Sequence, residues 1–250
     1  MDKTFGKALI WLGILLALGM SSAAFILGYQ TRNIGAGRQS ITVKGLAEKP
    51  VQADYAEWTI GLRVEGATFA EALNRLRRER PKLDGFLSQQ GFDAQARKEE
   101  AESVTPNMVE EQLANDRTRM VQKGFIASQS LVVTTRDLTA AAKAAKAALQ
   151  WEAEGNPVFY SAPLYLVTGL EDIKMSLIGA ATQNAQKRAE EFAKNGNVRV
   201  GAMRSASQGA FYILMPSASA EASDYGGIYD KSTVDKIAKV VVTIEYNIDK

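Results

Sequence analysis

The chain has 250 residues, 46% of them hydrophobic and 23% charged, so it is long and apolar enough to bury its own core. It contains no Cys and no His, which excludes disulfides, thiolate or imidazole metal sites, a thiol nucleophile and a Ser-His-Asp triad. The net charge of +2 lacks the basic excess of a dedicated nucleic-acid binder.

Lys3 and Lys7 precede a run from Ala8 to Tyr29 that carries no charge. As a helix this run spans about 33 Å, enough to cross a hydrocarbon core. Trp11 and Tyr29 lie near its ends, where amphipathic aromatics favour the interface. Ser22-Ala23-Ala24 offers the small residues of a signal-peptidase site, but Phe25-Ile26-Leu27 extends the apolar run past it. The length favours an uncleaved anchor in the inner (cytoplasmic) membrane, single-pass, with the rest of the chain in the periplasm. The rival reading is release to the periplasm after cleavage near Ala24. Residues 31–40 read as a polar tether.

Ile41 to Lys44 alternates as a short strand, and Val51 to Glu65 as a longer one with Ala56, Trp58, Ile60, Leu62 and Val64 on one face. Thr68 and Glu71 form a capping box for a helix that Gly91 should end and Pro81 should kink or divide near Arg80. A strand is expected over 96–104, then a polar connector over 105–119, then a strand from Phe125 to Thr135. Asp137 should cap an Ala-rich helix reaching Gln150, and a strand over 158–167 should bulge or lie at an edge at Pro163. A second capping box, Thr168 with Glu171, opens a helix whose inner stripe includes Ile173, Leu177, Ala180, Ala181, Asn184, Ala185, Ala189, Phe192 and Ala193. Gly196 should end it. One long or two short strands fill 198–215, a mobile loop 216–232, and a final strand runs from Lys239 to Ile248 with Val240, Val242, Ile244, Tyr246 and Ile248 inward. The fold class is α+β, with mainly antiparallel sheet and packed helices: a βαββαβ core plus a C-terminal αββ lobe, after one N-terminal transmembrane helix. The domains are an anchor over 1–30, the tether, and an α+β domain over 41–250, divisible into lobes at about 41–168 and 169–250.

Several segments in order resemble the SIMPL family of bacterial envelope proteins. Ile41-Thr42-Val43-Lys44-Gly45-Leu46-Ala47-Glu48 with Val51-Gln52-Ala53-Asp54 is similar to its opening pair of strands. Gly124 to Leu131 resembles its middle strand, Arg136-Asp137-Leu138 the helix start after it, and Ala180 to Ala193 its long Ala-rich helix. Asn197 to Gly201, where the family more often has a Gly-Val turn, and the acidic Glu110-Glu111 depart from the pattern. The resemblance implies a periplasmic or envelope protein, assembly into rings in some members, and a role in oxidative-stress tolerance. It supplies no catalytic residues.

Chemistry without His falls to carboxylates, Lys and Tyr. Glu99, Glu100 and Glu102 cluster, and a solvated strand face is the simpler reading than an acid/base pair or cation site. Arg75, Arg77, Arg78, Arg80 and Lys82 form a basic run on the first helix, with Glu71 and Glu79 spaced to pair with it. An anionic lipid surface is the functional alternative there. Ser40 with Lys44 lacks the helix a Ser-Lys site needs, Gly226-Gly227 lacks the flanks of a phosphate loop, and Tyr212, Tyr225 and Tyr229 are a candidate contact patch. Trp58 and Trp151 read as core. The expectation is a non-enzymatic, membrane-anchored periplasmic protein that self-associates in envelope maintenance or oxidative-stress tolerance. It has no catalytic, cofactor or metal residues, no cofactor, and no nucleic-acid partner. Its partners are other copies of itself and the membrane through Ala8 to Tyr29. The alternatives are a carboxylate-based cell-wall hydrolase and a peptide-binding, chaperone-like module using an open sheet edge.

Overall fold

A computed structural model of the chain describes residues 3–36, 39–112, 117–216 and 227–249. The protein is α+β, with antiparallel sheets and an N-terminal apolar helix. That helix, α1 (Lys3–Ala36), includes Trp11–Tyr29, which is long and apolar enough to cross a membrane and contains no buried residue. The Ser22 hydroxyl donates to the Leu18 carbonyl at 2.8 Å, so that hydroxyl is satisfied within the helix. Helix replaces most of the expected tether, because α1 continues to Ala36 and the first strand begins at Ser40.

The chain forms two compact units that interleave in sequence: Met1–Ala47, Met175–Ala210 and Val240–Lys250 in one, Glu48–Lys174 and Phe211–Lys239 in the other. The division expected near residue 168 does not describe them. Strand β1 (Ser40–Gln52) pairs with the last strand, β9 (Asp235–Asp249), so no single cut separates two lobes.

The second unit is built around β2 (Tyr55–Gly66), whose Ala56, Trp58, Ile60, Leu62 and Val64 are all buried, as their alternation predicts. β2 pairs antiparallel with β5 (Thr118–Thr135) from Ala56 opposite Thr135 to Gly66 opposite Phe125. Beyond β5 lie β3 (Arg97–Glu99) and β4 (Ser103–Gln112), and beyond β2 lie β6 (Val158–Tyr160) and β7 (Leu164–Leu166). With α2 (Phe69–Gln89) and α3 (Leu138–Ala153) in the connections, the sheet order β4-β5-β2-β6 is the split βαβ arrangement suggested by the element order. The core joins Leu76, Leu83 and Leu87 of α2 and Ala144 and Ala148 of α3 to the inner face of the sheet. Phe86 of α2 stacks on Trp151 of α3 with ring centroids 4.7 Å apart.

Several local expectations change here. The polar connector over 105–119 is largely strand: β4 alternates exposed and half-buried residues with none fully buried, so no apolar face marks it, and pairing with β5 extends it. Residues 113–116 are outside the described residues. The expected strand over 96–104 is a 3-10 turn at Ala94–Ala96, then the short β3, then the start of β4. Pro81 does not divide α2; the carbonyl it leaves unpaired belongs to exposed Arg77, where solvent replaces the lost bond. The α2 terminus follows expectation: Gly91 has φ 87, its N–H bonds the Ser88 carbonyl, and the Phe92 N–H reaches Leu87 at 3.0 Å, closing a Schellman motif.

The first unit holds the opening of β1, most of α4 (Leu170–Asn195), the first part of β8 (Arg199–Leu214) and the end of β9. The sheet order is β1-β9-β8. Gly201 lies beside Asp249 and Gly209 beside Val241, so β8 runs antiparallel to β9. Val240, Val242, Ile244 and Tyr246 are buried, as are Leu177, Ala181, Ala185, Ala189 and Ala193 on α4; Ile248 is only half-buried. Ala180 and Phe192 are exposed, Phe192 at 62%, so the stripe is narrower than predicted and follows a strict four-residue step from Leu177. A Cβ at Gly45 would collide with the Ala181 carbonyl and the Ala185 side chain, which places α4 directly on β1. The left-handed residue ending α4 is Asn197, at φ 51, rather than Gly196. Thr168 does not cap α4 by a box; its hydroxyl and N–H both bond Asp54.

Candidate functional site

Two of the three clustered glutamates, Glu99 and Glu102, are spent on ion pairs. Arg80 reaches Glu99 at 2.5 Å and Asp84 at 3.3 Å, and donates to the Gln129 side-chain oxygen Oε1 at 2.6 Å. Arg77 makes a bidentate contact to Glu102, with Nη2 at 2.8 Å; this holds the Glu102 carboxyl below the usual range, with burial opposing. The basic run is therefore largely neutralised in place. Lys82 pairs with Glu79 at 2.6 Å, as its spacing predicts, but Arg75 donates to the Glu65 carbonyl because Glu71 accepts from the Ala67 N–H instead. No group of three potential metal ligands occurs among the described residues.

The tyrosine patch is not assembled. Tyr212 is buried, the Tyr229 hydroxyl accepts from the Val167 N–H at 2.8 Å, and Tyr225, like Gly226, is outside the described residues, with most of the expected loop. The Ser40 hydroxyl bonds Glu245, the largest influence holding that carboxyl low, so it is not poised as a nucleophile. Trp58 is buried, its indole N–H donating to the Ser161 carbonyl at 2.9 Å, and Trp151 lies partly buried against the core.

Two features escaped the sequence. In the second unit, Lys236 is only 1% exposed, and its ammonium bonds both the Asp230 carbonyl at 2.7 Å and the Asp230 carboxylate at 3.1 Å. Burial alone would raise the Asp230 carboxyl, but hydrogen bonds from Ser232, Thr233 and Lys236 together outweigh it and hold it well below the usual carboxylate range. A cleft of about 620 Å³ opens beside it, lined by Pro50, Val51, Gln52, Asp235 and Ile237 among others. The ammonium makes two bonds to Asp230, so this knot ties down the 230–236 segment. Its sequence signal is faint: an Asp followed at two and three residues by hydroxyls, a common turn pattern.

The other feature is an open sheet edge in the first unit. β8 ends the three-stranded sheet, and residues 202–209 are exposed throughout. At the opposite border, α4 occupies β1 around residues 44–46: the Leu46 N–H donates to the Asn184 side-chain oxygen at 3.1 Å, and Arg188 donates to the Lys44 carbonyl at 3.1 Å. Among the described residues, no strand pairs with the outer side of β8 over 199–210. A groove of about 550 Å³ runs beside it, lined by Gln186, Glu190 and Lys194 of α4 with Arg199, Met203 and Tyr246 of the sheet. Tyr246 titrates high there, through burial and then the Glu190 charge. Edge amides and carbonyls beside a groove present the backbone donors and acceptors that strand addition uses.

No curated protein matches the sequence. The family described as SIMPL, protein of unknown function (DUF541), matches residues 41–246, from the opening of β1 to Tyr246 in β9. That match spans both units and the open edge, and the chain belongs to the SIMPL family.

Proposed function

We infer that the protein is a membrane-anchored periplasmic protein without catalytic activity that works by self-association, in envelope maintenance or tolerance of oxidative stress. The observation that carries this reading is the β8 edge, which over 199–210 has no strand on its outer side among the described residues, while α4 occupies the other border at Lys44 and Leu46 of β1. A long uncovered edge is a liability unless a partner pairs with it. The unburied apolar helix Trp11–Tyr29 supports anchoring. The family, itself of unknown function, supports the domain type and names no chemistry.

The test is the native mass of the full chain in mild detergent, by light scattering, together with its intact covalent mass. An oligomer with an uncleaved N terminus is expected. A strict monomer at every concentration would sink self-association, and an intact mass beginning after Ala24 would sink the anchor. The open edge beside a groove also favours a second reading, capture of an extended peptide. A monomer that co-purifies with peptide would select it.

A further inference from the structure

We propose that a second copy of the chain adds antiparallel to β8 about a two-fold axis at Ser205, joining two three-stranded sheets into one of order β1-β9-β8-β8-β9-β1. The proposal rests on the self-association reading and names its surface. Three observations carry it.

The first is the asymmetry of the sheet borders. Head-to-tail growth would pair β8 of one copy with β1 of the next. Asn184 and Arg188 already occupy the Leu46 N–H and the Lys44 carbonyl, so β1 is a poor acceptor. Within this three-stranded sheet the border left open among the described residues is β8, and a contact of β8 with another β8 closes on itself.

The second is the sequence of the open stretch, Val200-Gly201-Ala202-Met203-Arg204-Ser205-Ala206-Ser207-Gln208-Gly209-Ala210. In an antiparallel pair, opposite residues share a face and must fit side by side. With the axis on Ser205, Val200 faces Ala210, Gly201 faces Gly209, Ala202 faces Gln208, Met203 faces Ser207 and Arg204 faces Ala206. Every large side chain therefore meets a small one. An axis one residue earlier would set Arg204 against its own mate, at a like-charge cost.

The third is charge and length. Arg204 is neutralised by Glu245 at 3.2 Å, and Ser205 also contacts that carboxylate at 3.2 Å, so the stretch meets its copy without unpaired charge. A ladder of this length supplies about ten backbone hydrogen bonds, the number a typical protein interface carries. Beyond it, Ile213 is already bridged to Tyr229, which limits the contact to the open stretch.

The absence of native Cys makes the test direct. Full-length chains carrying Ser205→Cys, Ser207→Cys or Met203→Cys are oxidised mildly in detergent. Ser205→Cys is expected to form a disulfide dimer by itself. Ser207→Cys and Met203→Cys alone are not, since each lies about 13 Å from its own mate along the strands, beyond the roughly 7 Å that a disulfide spans. The two co-expressed are expected to cross-link to each other. Ala206→Lys, at an exposed position, should raise the concentration at which the assembly dissociates at least tenfold. An oligomer by mass that shows none of these cross-links, and in which Ala206→Lys changes nothing, overturns the β8 contact but leaves self-association standing. Cross-linking of Ser207→Cys alone overturns the Ser205 axis. A monomer at all concentrations overturns both the contact and the reading beneath it.

Discussion

Lys236 and Asp230 show how one side chain sets the behaviour of a loop. A buried ammonium with a single carboxylate partner becomes very costly once that partner is removed. Asp230→Asn is therefore expected to destabilise the fold by about 3–5 kcal/mol, measured by urea denaturation. The double change Asp230→Asn with Lys236→Met should recover most of that loss, because the charge is removed with its partner. The sign of the pH dependence follows from the depressed Asp230 carboxyl. Its contribution is complete above the unfolded carboxylate value of about 3.9 and is lost as pH falls below that toward the folded value. The wild-type melting temperature should accordingly drop more steeply below about pH 4 than that of the double variant. Gly45 is a second such residue. Gly45→Val drives a branched side chain into the Ala181 carbonyl and should cost about 1–3 kcal/mol or more in stability. Neither position was legible beforehand as important: Asp230 sits in what reads as a loop, and a glycine after a short strand reads as a turn.

Among the elements, the helices were the most legible. Thr68 and Asp137 cap α2 and α3 as expected, because a cap is a bond between residues three apart and needs nothing distant. The first turn of α4 is different: Thr168 satisfies Asp54 across a long sequence separation, which outcompetes the local box and holds the Asp54 carboxyl below its usual range. Pro81 makes a further prediction. The helix passes through it unbroken, so Pro81→Ala restores a donor to the Arg77 carbonyl without changing the fold. An increase in stability of about 1–3 kcal/mol is expected, read as a higher melting temperature with unchanged far-UV circular dichroism. Strand limits were less legible than helix limits. β2 announces itself through a buried face; β4 lacks one, and its existence depends on β5 lying alongside.

For the whole molecule, composition and order went far. The absence of Cys and His, an apolar segment over Trp11–Tyr29 and the succession of helix and strand patterns delimit an α+β chain with one helix able to cross a membrane. They do so because composition, hydropathy and short-range periodicity are local properties, readable without contacts. Tertiary structure decided the rest. It paired β1 with β9 across nearly the whole domain, so the compact units interleave instead of following the chain. It turned the glutamates near β3 into arginine partners and buried Tyr212. It also set Asn184 and Arg188 against one sheet border and left the other, over 199–210, without a paired strand among the described residues. Whether an edge is open depends on which distant segments fold over it, a long-range fact that no window of sequence contains.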